Sequence, residues 1–458
     1  MRFLSRSVLA AVFSAVLVAT AAPAANADHA TDPHTRNMHA LGHSPHPATF
    51  LGEPDGVRHV NSDLAFWGDL IFHGNYDGFR IIKNLPGHPW QIVHQRCNGD
   101  QGDIFVWDDI LVRSWNSKKT VARDCDGQSV PAGWEGVHVF DISNLRNPEL
   151  VAAVSLPCGS HTLTGARDGS RLIVYSNNSS STGCVDGTRA NDDPVGDFID
   201  VIEVPLVNPA AANLLRREPL AGPLTDVRTG CHDAGLILGR VNLLACASAD
   251  AINVYDVGVN ATPGGSLADP SFLYVISEPG VGQAGTNGRW HSASFAWDGK
   301  VIVAGWEPGG GSEPECQSTD PAVDKSAFFY DARTGAKLGQ WTLPRPQDGE
   351  AENCTIHNYN VVPLRSGRYV LVSGNYQAGT WITDFTDPAG PVTLGWSDPP
   401  AITPPDLGGA WSSYWYNNFL YESSITEGVN VYRFSSGALA SAIRLPYLNP
   451  QTQSFSLR

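Results

Sequence analysis

Gly136-Val-His-Val-Phe-Asp141, Ile142-Ser-Asn-Leu-Arg-Asn-Pro148 and Glu149-Leu-Val-Ala-Ala-Val-Ser-Leu156 stand in succession in this chain. The outer segments alternate apolar and polar or small residues, the period of a strand. The segment between them is rich in turn formers. The first phrase recurs: Gly78-Phe-Arg-Ile-Ile-Lys83, Phe198-Ile-Asp-Val-Ile-Glu203, Ala251-Ile-Asn-Val-Tyr-Asp256, Ala327-Phe-Phe-Tyr-Asp331, Gly379-Thr-Trp-Ile-Thr-Asp384 and Gly428-Val-Asn-Val-Tyr-Arg433. The copies lie roughly 50 to 75 residues apart, a spacing that suits blades rather than solenoid turns. A hairpin precedes each phrase, as in Leu70-Ile-Phe-His-Gly-Asn75 and Tyr369-Val-Leu-Val-Ser-Gly-Asn375, and a further strand follows it. Four antiparallel strands per unit, repeated seven times, predict an all-β fold: a seven-bladed β-propeller with four-stranded antiparallel blades.

Residues 136–157 resemble the LVIVD-repeat family, whose motif is an apolar run ending in Asp, a Ser-Asn turn with Pro, and another strand. Lys83 and Arg433 stand where that motif has Asp. The resemblance implies a β-propeller in an extracellular setting and supplies no reaction.

Residues 1–27 read as a secretion signal: Arg2 and Arg6, an apolar run from Val8 to Ala21, and the cleavage pattern Ala25-Asn26-Ala27. A His-rich segment, 28–49, follows. It is a candidate to close the last blade, through Asn37 to Gly42, in competition with Ala438 to Leu445. The propeller is expected over 50–446 and a C-terminal tail over 447–458. The formal net charge of −16 becomes −18 once the two leader arginines are removed, which disfavours nucleic acid and anionic membranes as partners. With no other long apolar run, a soluble secreted monomer with no membrane span is expected. Eight cysteines in an oxidising compartment predict disulfides. The nearest-neighbour pairs are Cys97–Cys125, Cys158–Cys184, Cys231–Cys246 and Cys316–Cys354.

Of the histidines, His29, His34, His39, His43 and His46 fall in the N-terminal segment and read as a solvated tail, with metal binding by that tail as the other reading. Five others, His59, His161, His232, His291 and His357, each start the first strand of a unit. The stretches Gly99-Asp-Gln-Gly-Asp103 and Gly409-Ala-Trp411 hold that place in the remaining two. First strands line the axis of a propeller, so these rings are expected to converge at one mouth. The ends of the second strands return to the same face and would add His73, Asn75, Trp115, Asn116, Asn177, Asp250, Trp306, Glu307, Asn375, Tyr376 and Glu422. Asp233, next to His232, is expected to point the other way.

Neutral imidazole is a favoured ligand of copper, iron and zinc. The expected metal ligands are therefore His59, His161, His232, His291 and His357, with Glu307, Glu422 and His73 as proton carriers. The architecture resembles propeller oxidoreductases that hold copper or iron through axial histidines, such as carotenoid oxygenases and selenium-binding proteins. The expected function is a copper- or iron-dependent oxidoreductase, zinc being the other candidate, acting on a small organic molecule. Two alternatives stand beside it. One is a metal-free lyase, isomerase or hydrolase at the same site. The other is a non-catalytic scaffold that docks a partner on Trp115, Trp290, Trp306, Trp411, Trp415 and Tyr376.

Overall fold

The computed structural model describes residues 31–47, 60–99, 101–156, 158–178, 198–221, 230–248, 251–258, 264–281, 288–308, 316–345, 347, 352–402 and 407–455. The leader, His59, Cys184 and Asp250 fall outside them. The fold is all-β and propeller-like. Among the described residues only short 3₁₀ turns break the strands, and no helix is long and apolar enough to cross a membrane.

Most strands pair antiparallel with their sequence neighbours, in sheets of four, five and eight strands, with a separate hairpin at Arg123–Cys125 and Gln128–Val130. The first unit is Asn61–Trp67, Leu70–Asn75, Gly78–Lys83 and Trp90–Arg96. The pattern repeats with inner strands Ile104–Trp107, Thr162–Asp168, Cys231–Ile237, Gly288–Phe295, Asn358–Val361 and Ala410–Tyr416. Each repeated phrase becomes the third strand of a unit, from Gly78–Lys83 to Gly428–Phe434. Third strands are buried on both faces while the outermost are half exposed, so the apolar runs sit where neighbouring sheets press together. The glycine that opens several phrases has a steric cause. Gly78, Gly136 and Gly428 have φ of +150°, +149° and +127°. A Cβ there would lie 1.9, 2.0 and 2.3 Å from a carbonyl oxygen of the outer strand.

The last unit takes its outer strand from the other end of the chain. Met38–Pro45 pairs antiparallel with Gly428–Phe434. The N-terminal histidines from His39 to His43 are thus in a strand, not a solvated tail, and Ala438 to Leu445 does not take that place. Third and outer strands share a bulge at one position throughout. It falls between Ile81 and Ile82, Val139 and Phe140, and Val201 and Ile202. The closing strand carries the matching shift, between Ala40 and Gly42 opposite Tyr432 and Val431.

The far ends of the inner strands are covered by the C-terminal segment. Tyr447–Leu448 pairs with Phe66 and Trp67, and Thr452–Gln453 with Leu236 and Ile237. The Asn449 side chain bonds both backbone groups of Val106. Gln451 donates to Asp63 at 2.9 Å. Three cystines match the nearest-neighbour pairing: Cys97–Cys125, Cys231–Cys246 and Cys316–Cys354. Cys158 is also disulfide-bonded.

Asn61 secures the first-to-last seam. Its buried amide donates to the carbonyls of His46, Ser424 and Ile425 at 2.8–3.2 Å. Asn61→Ala would leave buried acceptors unpaired, at a cost of about 2–4 kcal/mol. The expected result is a lower urea midpoint with an unchanged m-value in equilibrium unfolding.

Candidate functional site

The mouth opposite the C-terminal segment is lined by consecutive histidines. Ring centroids of His161 and His232 lie 4.2 Å apart, those of His232 and His291 4.2 Å, and those of His291 and His357 4.1 Å. Tyr376 and Trp411 continue the arc at 4.3 and 4.8 Å from His357. Radial repetition has joined side chains that are 59 to 71 residues apart in sequence.

A bulge aims these rings. In the inner hairpins of these units the register slips at His232 and His291, and likewise at Trp411. The slip lets both His232 and the next residue face the axis. Asp233 therefore does not point away, as strict alternation would have it. It lines a small axial cavity with Ser292, Asn358 and Gln451. Burial holds Asp63, Asp103 and Asp233 above the usual carboxylate range.

Side-chain hydrogen bonds also run from one unit to the backbone of the next. Those nearest the mouth include Ser62 Oγ to Gly102 O at 3.1 Å, Thr162 Oγ1 to His232 O at 2.6 Å, His232 Nδ1 to His291 O at 3.2 Å, Ser292 Oγ to His357 O at 3.1 Å, His357 Nδ1 to Trp411 O at 2.5 Å, and Ser423 Oγ to Ser62 O. A carbonyl only accepts, so His232 and His357 carry their proton on Nδ1 and keep the Nε2 lone pair. His291 Nδ1 is buried with no hydrogen-bond partner. His161 differs. Tyr76 OH donates to Gln101 Oε1 at 3.0 Å, which turns the Gln101 amide toward His161 Nε2 at 3.3 Å.

Glu307 completes the site. Its carboxylate accepts from Tyr376 OH at 2.9 Å, pairs with Arg289 Nε at 3.1 Å and lies 3.9 Å from His357 Nε2. Ligand atoms of His232, His291 and Glu307 lie within 4.8 Å of one another. Two imidazoles and a carboxylate are a donor set for iron, copper or zinc, and the orphaned His291 nitrogen fits a ligand role. The cavity above measures about 150 Å³, with Arg289, Gln101, Tyr76, Leu407 and Trp411 in its wall.

Other expected site residues lie elsewhere. Glu422 pairs with Ser413 and Glu307 with Arg289. Counted from each unit's bulge, Glu422 is about four ladder steps deeper, on the order of 13 Å. There it accepts from Thr380, Asn430 and Tyr432. His73 pairs with Leu64 and bonds Ser423 and Arg80, away from the cavity. Trp115, Trp290, Trp306 and Trp415 are 0–2% exposed and form no docking surface.

Arg289 and Tyr76 were not anticipated. Arg289 had a signal: it stands two residues before His291, on the same face of one strand. Gln101 and Tyr376 have φ of +49° and +47°, conformations that non-glycine residues rarely hold without a tertiary reason.

No protein-family model matches the chain, and no curated protein matches it in sequence. Solved structures similar to it include a computationally designed protein, Ika8, with 12% identity over 86% of this chain and 99% of that one, at a TM-score of 0.46. The WD40 β-propeller domain of Doa1 aligns with 12% identity over 84% of this chain and 96% of that one, also at 0.46.

Burial holds all four imidazoles well below the ordinary histidine value, His357 at about 3, with neighbouring rings and Arg289 adding to the effect. An unfolded His357 takes up a proton near 6.5 and the folded one near 3, so its contribution to stability is intact above pH 6.5 and lost as pH falls toward 3. His357→Gln is therefore expected to show a flatter fall in urea midpoint between pH 7 and pH 5 than the parent protein.

Proposed function

We propose that this chain is an exported, seven-bladed propeller enzyme that uses a transition metal at its axial mouth to oxidise a small organic molecule. The observation that carries the reading is the convergence of His232, His291 and Glu307, with His291 buried behind a cavity that His232, Glu307 and His357 line. The recurring bulge and the strand contributed by the N-terminal segment support seven four-stranded blades. The cystines accord with an oxidising compartment, as does the sequence resemblance to LVIVD-repeat proteins.

His232, His291 and Glu307 would hold the ion. Copper or iron bound there supplies electron-transfer and oxygen chemistry, and zinc supplies Lewis acidity. The chain's own part is preorganisation. Burial keeps the imidazoles neutral, and the neighbouring backbone carbonyls fix which nitrogen of His232 and His357 is protonated. Arg289 and Gln101 offer donors to a polar or anionic group on the substrate, while Trp411 and Leu407 give an apolar wall. Tyr376 holds Glu307 from the side remote from Arg289.

A second reading rests on that same carboxylate. Tyr376 and Arg289 already engage both Glu307 oxygens, and His357 Nε2 lies 3.9 Å from one of them. Glu307 and His357 would then exchange a proton with substrate in a metal-free lyase or isomerase.

Untagged protein recovered from the culture medium should carry copper, iron or zinc. The His232→Ala/His291→Ala double variant should bind one equivalent fewer while keeping its β-sheet circular dichroism. Glu307→Gln should weaken metal affinity by about 10- to 100-fold in competition with a chelator. Metal-free protein that takes up none of these ions at the axial site would favour the acid–base reading.

A further inference from the structure

A second set of imidazole and carboxylate donors lies outside the axial mouth, where the ring of units closes. His46 directly follows the closing strand Met38–Pro45. Asp77 stands in the turn between Leu70–Asn75 and Gly78–Lys83, and His94 lies in the outer strand Trp90–Arg96. One ligand atom from each lies within 4.8 Å of the others. The His46 and His94 rings meet at 5.0 Å, and His94 Nε2 lies 3.5 Å from Asp77 Oδ2. That nitrogen is buried and makes no hydrogen bond.

The protonation of His46 follows from its neighbour. Asn61 commits its NH₂ group to carbonyls, so its Oδ1 accepts from His46 Nδ1 at 2.6 Å. His46 therefore keeps the Nε2 lone pair. Burial pulls His94 down to about 4 against the pull of Asp77, leaving a neutral ring at physiological pH. His73 is nearby but occupied: its Nδ1 faces Arg80 and its Nε2 faces Ser423. Among the described residues Arg80 is the one buried cation beside the group, and the exposed Arg96 also acts on His94. Its guanidinium is engaged by Ser44, Gln91 and His73. Asp77 offsets its charge, so an incoming dication depends on its bonds to the imidazoles.

We propose that His46, Asp77 and His94 form a metal site that takes a divalent ion of the zinc, nickel and copper group and fastens the closing N-terminal segment to the first unit. Two imidazoles and one carboxylate leave a fourth position for water, and borderline-soft ions favour that set over calcium or magnesium. The ligands come from both sides of the seam, so the ion binds the closed ring and not the opened one. Its binding free energy then adds to the stability of closure.

The experiment uses the untagged chain carrying His232→Ala/His291→Ala, which isolates this site from the axial one. Chelator-stripped protein is titrated with zinc chloride, reading bound zinc by elemental analysis and unfolding by calorimetry. One equivalent is expected, with a rise in Tm of about 5 °C at zinc near a hundredfold over its Kd. Adding His94→Gln or Asp77→Asn should abolish both the equivalent and the rise, while leaving the zinc-free Tm within a few degrees. If either variant fails to fold, zinc-edge anomalous diffraction from the parent protein should place a peak between His46 and His94. No zinc in the axial double variant, zinc retained by His94→Gln, or no peak at the seam would overturn the proposal, whatever the axial site holds.

Discussion

Around the axis, side chains of one unit satisfy backbone carbonyls of the next, and the candidate site is organised by that requirement. At His232, His291 and Trp411 a bulge at the start of the inner strand frees this carbonyl from its own hairpin, and its burial favours a protein donor over water. A donor from the preceding unit takes it instead: Ser62, Thr162, His232, Ser292, His357 or Ser423. Hydroxyl and imidazole N–H are interchangeable for that purpose. They differ in what is left over. A serine leaves a small oxygen, whereas histidine leaves a second nitrogen whose lone pair can meet a ligand. The candidate site is thus assembled from groups that already hold the ring together.

A structural and a ligand role are thus compatible in one histidine. His232 and His357 each carry out a structural task with Nδ1 and keep a lone pair on Nε2. His161 has its Nε2 engaged by Gln101 and belongs to the wall. Nδ1 of His291 and Nδ1 of His161 are both buried with no hydrogen-bond partner, a cost that a protein interior tolerates at sites of function more readily than in its scaffold.

The axis also separates opposite electrostatic responses to burial. Imidazoles at the mouth are driven toward neutrality by losing their protons, and the acids below them by keeping theirs. Asp63 is held by Tyr414, Asn358 and Gln451, and Gln451 belongs to the segment that covers the far end. The two chain ends therefore act on different parts of one ring. The N-terminal strand closes its circumference and the C-terminal segment closes its floor.

The recurrence of a strand phrase at roughly 50- to 75-residue intervals was legible because alternation and turn chemistry are local properties. So was the shared position of His161, His232, His291 and His357, since repeats copy a position along with its fold. Three cystines were legible for a related reason: each joins cysteines adjacent in the sequence. Register was not. Whether Glu307 or Glu422 reaches the mouth depends on where each hairpin bulges, and a slip of a few residues moves a side chain by more than the size of the cavity. Asp233 was misplaced by the same bulge. Which chain end would close the last unit was equally open, because Met38–Pro45 and the C-terminal candidate compete for a place that exists only once the other units have packed. Local alternation thus determined the strands and the repeat. Contacts between units, which no single strand contains, decided which of the repeated side chains meet.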